Sequence, residues 1–199
     1  MKIYDISQEL FGCVVFPGDP APKKETLASM EAGSPYRLTA FSMCAHNGTH
    51  VDAPAHFIKD GKTVDQLELC GTVGESFVAE FNGTILATDM QNILKKAASQ
   101  SAEAAKRILI KGKATLSLEA AEVLAEAGIL LYGNESQTVG PEDAPMEVHL
   151  KLLGAEVVLL EGIRLEAVPE GVYLLNAAPL CLADTEGAPC RAILVDFGD

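Results

Sequence analysis

Tryptophan is absent from this sequence, and histidine is scarce: His46, His50, His56 and His149 are the only four in 199 residues. Basic residues are also few, with 15 Lys and Arg against 28 Asp and Glu and a formal net charge of −13. That balance excludes a nucleic-acid backbone as the main partner, because binding phosphates takes clustered Lys and Arg. Long apolar runs are missing too. None approaches the roughly 18 residues that a membrane-spanning helix requires, and MKIYDISQEL carries no secretory signal. A cytoplasmic protein with no membrane partner is expected. The five cysteines, Cys13, Cys44, Cys70, Cys181 and Cys190, contain no CxxC pair. This excludes a disulfide framework and an all-thiolate metal site, and predicts reduced, mostly buried thiols.

Hydrophobic residues make up 48% of the chain, which suits a substantial core and excludes a disordered protein. The acidic charge is dispersed and reads as a solvated surface. Residues 1–84 are rich in β-formers and turn residues. KIYDIS, RLTAFSM and SFVAEF read as strands, and VVFPGDPAP as a Pro-rich loop. From residue 86 the pattern alternates. TDMQNILKKAASQ is a helix with Thr88 or Asp89 as its cap. SLEAAEVLAEAG is a second helix, capped by Ser117 and stopped by Gly128, and APMEVHLKLLG a third that ends at Gly154. RILIK, ILLYG and EVVLLEG are short strands between them, and GVYLLNAAP and RAILVDF close the chain. Alternation of this kind predicts βαβ units and a single α/β domain over 1–199, with helices packed on the sheet.

Three of the four histidines fall within His46-Asn-Gly-Thr-His50-Val-Asp52-Ala-Pro-Ala-His56. His46, His50, Asp52 and His56 share one parity, so an extended chain aims them at one side. A straight strand would nonetheless hold His46 and His56 about 33 Å apart. The chain must bend, and Gly48 and Pro54 are the residues best able to bend it. Two imidazoles and a carboxylate form an N/N/O set suited to zinc, manganese or ferrous iron, with positions left open for water.

HNGTHVDAPAHF resembles the HxGTHxDxPxH motif of the cyclase family of metal-dependent hydrolases, which includes bacterial kynurenine formamidases and isatin-hydrolase-like enzymes. FPGDP at 16–20 is similar to that family's aromatic-PGD loop. HLKLLGAEVVLLEGIRLEAVPEG at 149–171 is similar to its second metal segment, and AAPLCL and PCRAIL to its closing strands. The resemblance implies that His46, His50 and Asp52 hold one divalent ion. Asp52 would bridge to a second ion completed by His149 and Glu161, and His56 would be the acid/base. Zinc is the first candidate, manganese the second. It also implies a swivelling β/β/α fold with a mixed sheet, and a homo-dimer or homo-tetramer.

The implied activity is metal-dependent hydrolysis of a C–N amide bond in a small aromatic substrate, with arylformamidase the nearest named reaction. Ring opening of an isatin-like lactam or a lactone is the alternative. A metal-stabilised binding protein that does no chemistry is the competing class, but structural zinc sites are usually closed by four ligands, often cysteines. The sequence departs from the formamidase pattern at two places. Phe16 stands where tryptophan usually precedes PGD, and is the candidate for stacking on an aryl substrate. In YGNESQTVGP, Glu135, Thr138 and Gly140 replace the usual Asp, Ser and Asp.

Overall fold

The computed structural model describes residues 1–198. In chain order its strands and helices begin with β1 (Lys2–Asp5), β2 (Lys23–Ala28), β3 (Leu38–Ser42) and β4 (His50–Asp52). Next come α1 (Leu69–Thr72), β5 (Val73–Glu80), β6 (Gly83–Ile85), α2 (Ala87–Gln100), β7 (Arg107–Lys111) and β8 (Ala114–Leu116). Then follow α3 (Leu118–Glu126), β9 (Leu131–Asn134), α4 (Met146–Gly154) and β10 (Val158–Glu161). The chain closes with β11 (Gly171–Asn176), β12 (Gly187–Pro189) and β13 (Ile193–Asp196).

A nine-stranded mixed sheet runs β1-β13-β11-β5-β7-β9-β10-β4-β12. Its centre, β5-β7-β9-β10, is parallel, as expected for RILIK, ILLYG and EVVLLEG, whose apolar runs suit strands buried on both faces. The flanks are antiparallel, so the fold is mixed α/β. Alternate side chains divide between two cores. Phe77, Ile108, Ile110, Tyr132 and Leu159 meet Met90 and Ile93 of α2, Leu124 of α3 and Leu152 of α4. Val78, Leu109, Leu131 and Leu160 face the other way, onto Val51, Tyr4, Leu175 and Leu194. Truncating a fully buried member such as Leu124 to Ala costs about 2–5 kcal/mol. No helix among the described residues is long and apolar enough to cross a membrane.

The expected helices form, with one cap corrected. Ser117 Oγ accepts the Ala120 N–H at 3.2 Å, and Gly128 stops α3 at φ +64°. By contrast, α2 starts one residue before Thr88, and Leu86 is its cap residue. The Asp89 carboxylate reaches back from inside the first turn to the Leu86 N–H at 3.0 Å, where it also opposes the helix dipole. The six-residue β2 and the three-residue β4, β6, β8 and β12 are strands that the sequence pattern does not predict. β2 and β3 form a separate hairpin, exposed along most of its length. The cysteines are free as expected, but the expectation of mostly buried thiols is overturned: Cys70 and Cys181 are exposed, and Cys13, Cys44 and Cys190 half-buried.

Candidate metal centre

The histidine-rich segment reaches the sheet through two bends. Gly48 takes φ +69°, a left-handed conformation that glycine adopts without a Cβ penalty. Just before it the Cys44 N–H donates to Asn47 Oδ1 at 2.9 Å. Just after it Thr49 Oγ1 donates to the Gly162 carbonyl at 2.8 Å, tying the bend to the end of β10. β4 then pairs antiparallel with β10, with His50 opposite Glu161 and Asp52 opposite Leu159. Pro54 opens a short 3-10 turn over Pro54–His56, its fixed φ suited to a first helical position. The turn folds His56 back so that its ring stacks on His46, with centroids 4.1 Å apart. Phe57 stacks on His149 at 4.7 Å, so consecutive residues cover two histidines.

Asp52 is the hub. His46 Nδ1 lies 2.8 Å and His50 Nε2 3.3 Å from its Oδ1, while His149 Nε2 lies 3.9 Å from its Oδ2. Glu161 stands beside it, with Oε1 3.3 Å from His149 Nε2 and Oε2 3.4 Å from His50 Nε2. Glu161 Oε1 also accepts the Val139 N–H at 2.9 Å. His50, Asp52, His149 and Glu161 are all buried.

The outward nitrogens fix the ring orientations. His50 Nδ1 faces the Gly48 carbonyl at 3.1 Å and His149 Nδ1 the Pro145 carbonyl at 2.8 Å. Carbonyls only accept, so both Nδ1 atoms carry hydrogen and both Nε2 atoms turn to the carboxylates. His46 is reversed: its Nδ1 faces Asp52, and its Nε2 lies 3.3 Å from Glu186 Oε1.

Burial and charge compete at each group. Burial pulls His50 down, but the Asp52 and Glu161 carboxylates outweigh it and raise the imidazole to about 10. Burial likewise opposes His46 and His149, and Asp52 and Glu161 respectively carry them above the ordinary histidine value. Burial would raise Asp52, yet His46 and His50 hold it well below the usual carboxylate range. Glu161 ends lowered in the same way, against burial and the Asp52 charge, through His149 and His50. His56 moves the other way: burial lowers it.

The donor set fits a divalent cation. Two groups, His46–His50–Asp52 and Asp52–His149–Glu161, each bring three ligand atoms within 4.8 Å of one another and share Asp52. Inside them His50 Nε2 and Asp52 Oδ2 are buried with no hydrogen-bond partner, an expensive state for polar atoms unless something else binds them. A mixed N/O donor set suits zinc and its first-row neighbours.

Every residue of the expected metal set therefore meets in one cluster, with His56 against it. Phe16 lies outside, in a cleft of about 270 Å³ shared with Gln137, Thr138 and Arg164. Cys44 belongs to neither group, and its Sγ lies 3.9 Å from Asp19 Oδ2. Sequence reasoning missed Glu186, Phe57 and the Val139 N–H. Only Phe57 had a local signal, as the residue that follows His56.

Fold and site together define an α/β protein with a buried His/Asp/Glu cluster able to bind a metal. The chain belongs to the family described as "Putative cyclase", whose model matches residues 4–141. A kynurenine formamidase of Erythrobacter litoralis is 32% identical, over all of this chain and 95% of that protein. A solved structure described as a potential metal-dependent hydrolase with cyclase activity is 27% identical, with TM-score 0.81 over 100% of this chain and 99% of that one. An isatin hydrolase bound to thioisatinate, 18% identical, shares the fold with TM-score 0.82 over 98% of this chain and 92% of that one.

Proposed function

We propose that this protein is a metal-dependent amidohydrolase that cleaves the formamide C–N bond of an N-formyl arylamine, as in conversion of N-formylkynurenine to kynurenine and formate. The observation that carries the reading is full-length similarity to a kynurenine formamidase in a chain whose two His/carboxylate groups share Asp52. His46, His50 and Asp52 would hold one ion, and Asp52, His149 and Glu161 would hold a second. Zinc is the first candidate and manganese the second. When bound, a divalent ion polarises the substrate carbonyl and makes water a competent nucleophile at neutral pH.

The remaining steps fall to side chains. His56, beside His46, takes a proton from the attacking water and returns it to the leaving nitrogen, so that amide plus water gives amine plus formic acid. Phe16 offers an aromatic face to the aryl ring. Residues 1–199 act as one catalytic domain, in the cytoplasm, where the five free cysteines stay reduced. We assign a homo-dimer or homo-tetramer, because an isolated two-stranded hairpin such as β2–β3 is marginal in water and here exposes Leu27, Leu38 and Phe41.

Formate release from N-formylkynurenine, measured beside isatin ring opening with zinc or manganese added, tests the reading. Formate release dependent on metal supports it. Isatin opening alone transfers the protein to lactam hydrolysis, and no turnover of either by metal-loaded protein overturns it.

A further inference from the structure

The outward nitrogens of the cluster histidines end on unlike acceptors. Those of His50 and His149 meet main-chain carbonyls, whereas His46 Nε2 meets a side chain, the Glu186 carboxylate at 3.3 Å. We propose that Glu186 is a positioning residue for His46: it takes the Nε2 hydrogen and leaves the Nδ1 lone pair aimed at the Asp52 side, where the ion binds. The inference rests on the metal-dependent reading above.

Without an acceptor at Nε2, the imidazole gains by moving its hydrogen to Nδ1, which already faces Asp52 Oδ1 at 2.8 Å. That tautomer hydrogen-bonds the carboxylate but presents N–H, not a lone pair, to the cluster. A carboxylate at Nε2 reverses the preference and raises the basicity of the ligating nitrogen.

Two backbone features hold Glu186 to this task. The Ala53 N–H donates to the Glu186 carbonyl at 2.9 Å, fixing its main chain to the strand that carries Asp52. The next residue, Gly187, lets the His46 ring lie against β12, since a Cβ there would sit 2.7 Å from His46 Cε1 and 3.1 Å from Nε2. Glu186 belongs to neither ligand group, and its side chain is 45% exposed. It therefore works at the rim, through His46.

Metal-free wild type, Glu186→Gln and Glu186→Ala, each titrated with zinc against a chromophoric chelator, test this. We expect Glu186→Ala to weaken zinc binding by about 10–100-fold, the usual effect of removing a ligand's outer partner. Glu186→Gln, which keeps an accepting oxygen, loses less. The melting temperature of the metal-free forms stays near wild type, which a merely structural role would not allow. Wild-type zinc affinity in both variants overturns the inference alone. If Glu186→Ala fails to fold, the near-isosteric Gln variant decides: weakened zinc binding supports the inference and wild-type affinity overturns it. A wild-type protein that binds neither zinc nor manganese overturns the metal-dependent reading, and this inference with it.

Discussion

His50 and Glu161 face each other as register partners across the β4–β10 pair, with Nε2 and Oε2 3.4 Å apart. The pairing brings a histidine from the N-terminal half onto the last residue of the final parallel strand. Ligands in open α/β sheets gather at such strand ends.

Asp52 is the only residue common to both ligand groups, so it is the most sensitive position for metal. Asp52→Asn should lower zinc affinity by about 100-fold or more, beyond the effect of losing an outer partner. Metal analysis after dialysis should find both ions depleted together. Retention of one ion per chain would show that the two groups are independent.

His56 stacks on a cluster histidine but belongs to neither ligand group. His56→Ala should therefore keep its metal while kcat falls by about 10²–10⁴-fold. Burial lowers its pKa, so the neutral base persists below the ordinary histidine value. The acid limb of the wild-type kcat/KM profile should fall below pH ~6.5 and vanish in the variant.

Metal loading should release protons. In the metal-free protein the Asp52 and Glu161 carboxylates raise His50 to about 10, so its ring is protonated at neutral pH, and ligation requires neutral imidazole. Zinc affinity therefore rises with pH, and His50 ceases to contribute protons near its value of about 10. The same raised value stabilises the metal-free fold fully below the unfolded histidine pKa, and that contribution is lost as pH climbs through the folded value. Calorimetry in buffers of different ionisation enthalpy counts the protons, and a count near zero at neutral pH would contradict the ion pairing.

Gly162, the residue after Glu161, takes φ +69°, and a Cβ there would run into Gly48 O and Gln137 Nε2 and stand 2.6 Å from Gln8 Nε2. Gly162→Ala should destabilise the protein by about 1–3 kcal/mol from backbone strain alone, and more from the clash. A lower urea midpoint with unchanged slope would record it.

The site was more legible in the sequence than the sheet around it. His46, His50, Asp52 and His56 share a parity and sit beside two residues that bend chains, all within eleven positions. β4, β6, β8 and β12 are three residues each, too short for a period of two to register, and their existence depends on distant pairing. The start of α2 was misread because the capping carboxylate of Asp89 acts from inside the helix. Glu186 left no trace, since its partner His46 lies on a strand-flanking bend far away in sequence.

The placement of β4 also orders events during synthesis. Among the described residues β4 pairs only with β10 and β12, so a nascent chain that has emerged through its first half carries His46, His50 and Asp52 with no strand to hold them. His149 and Glu161 complete the cluster only once β10 exists. Fragments that stop short of β10 should therefore hold a divalent ion poorly, and the complete cluster can form only after Glu161 has emerged.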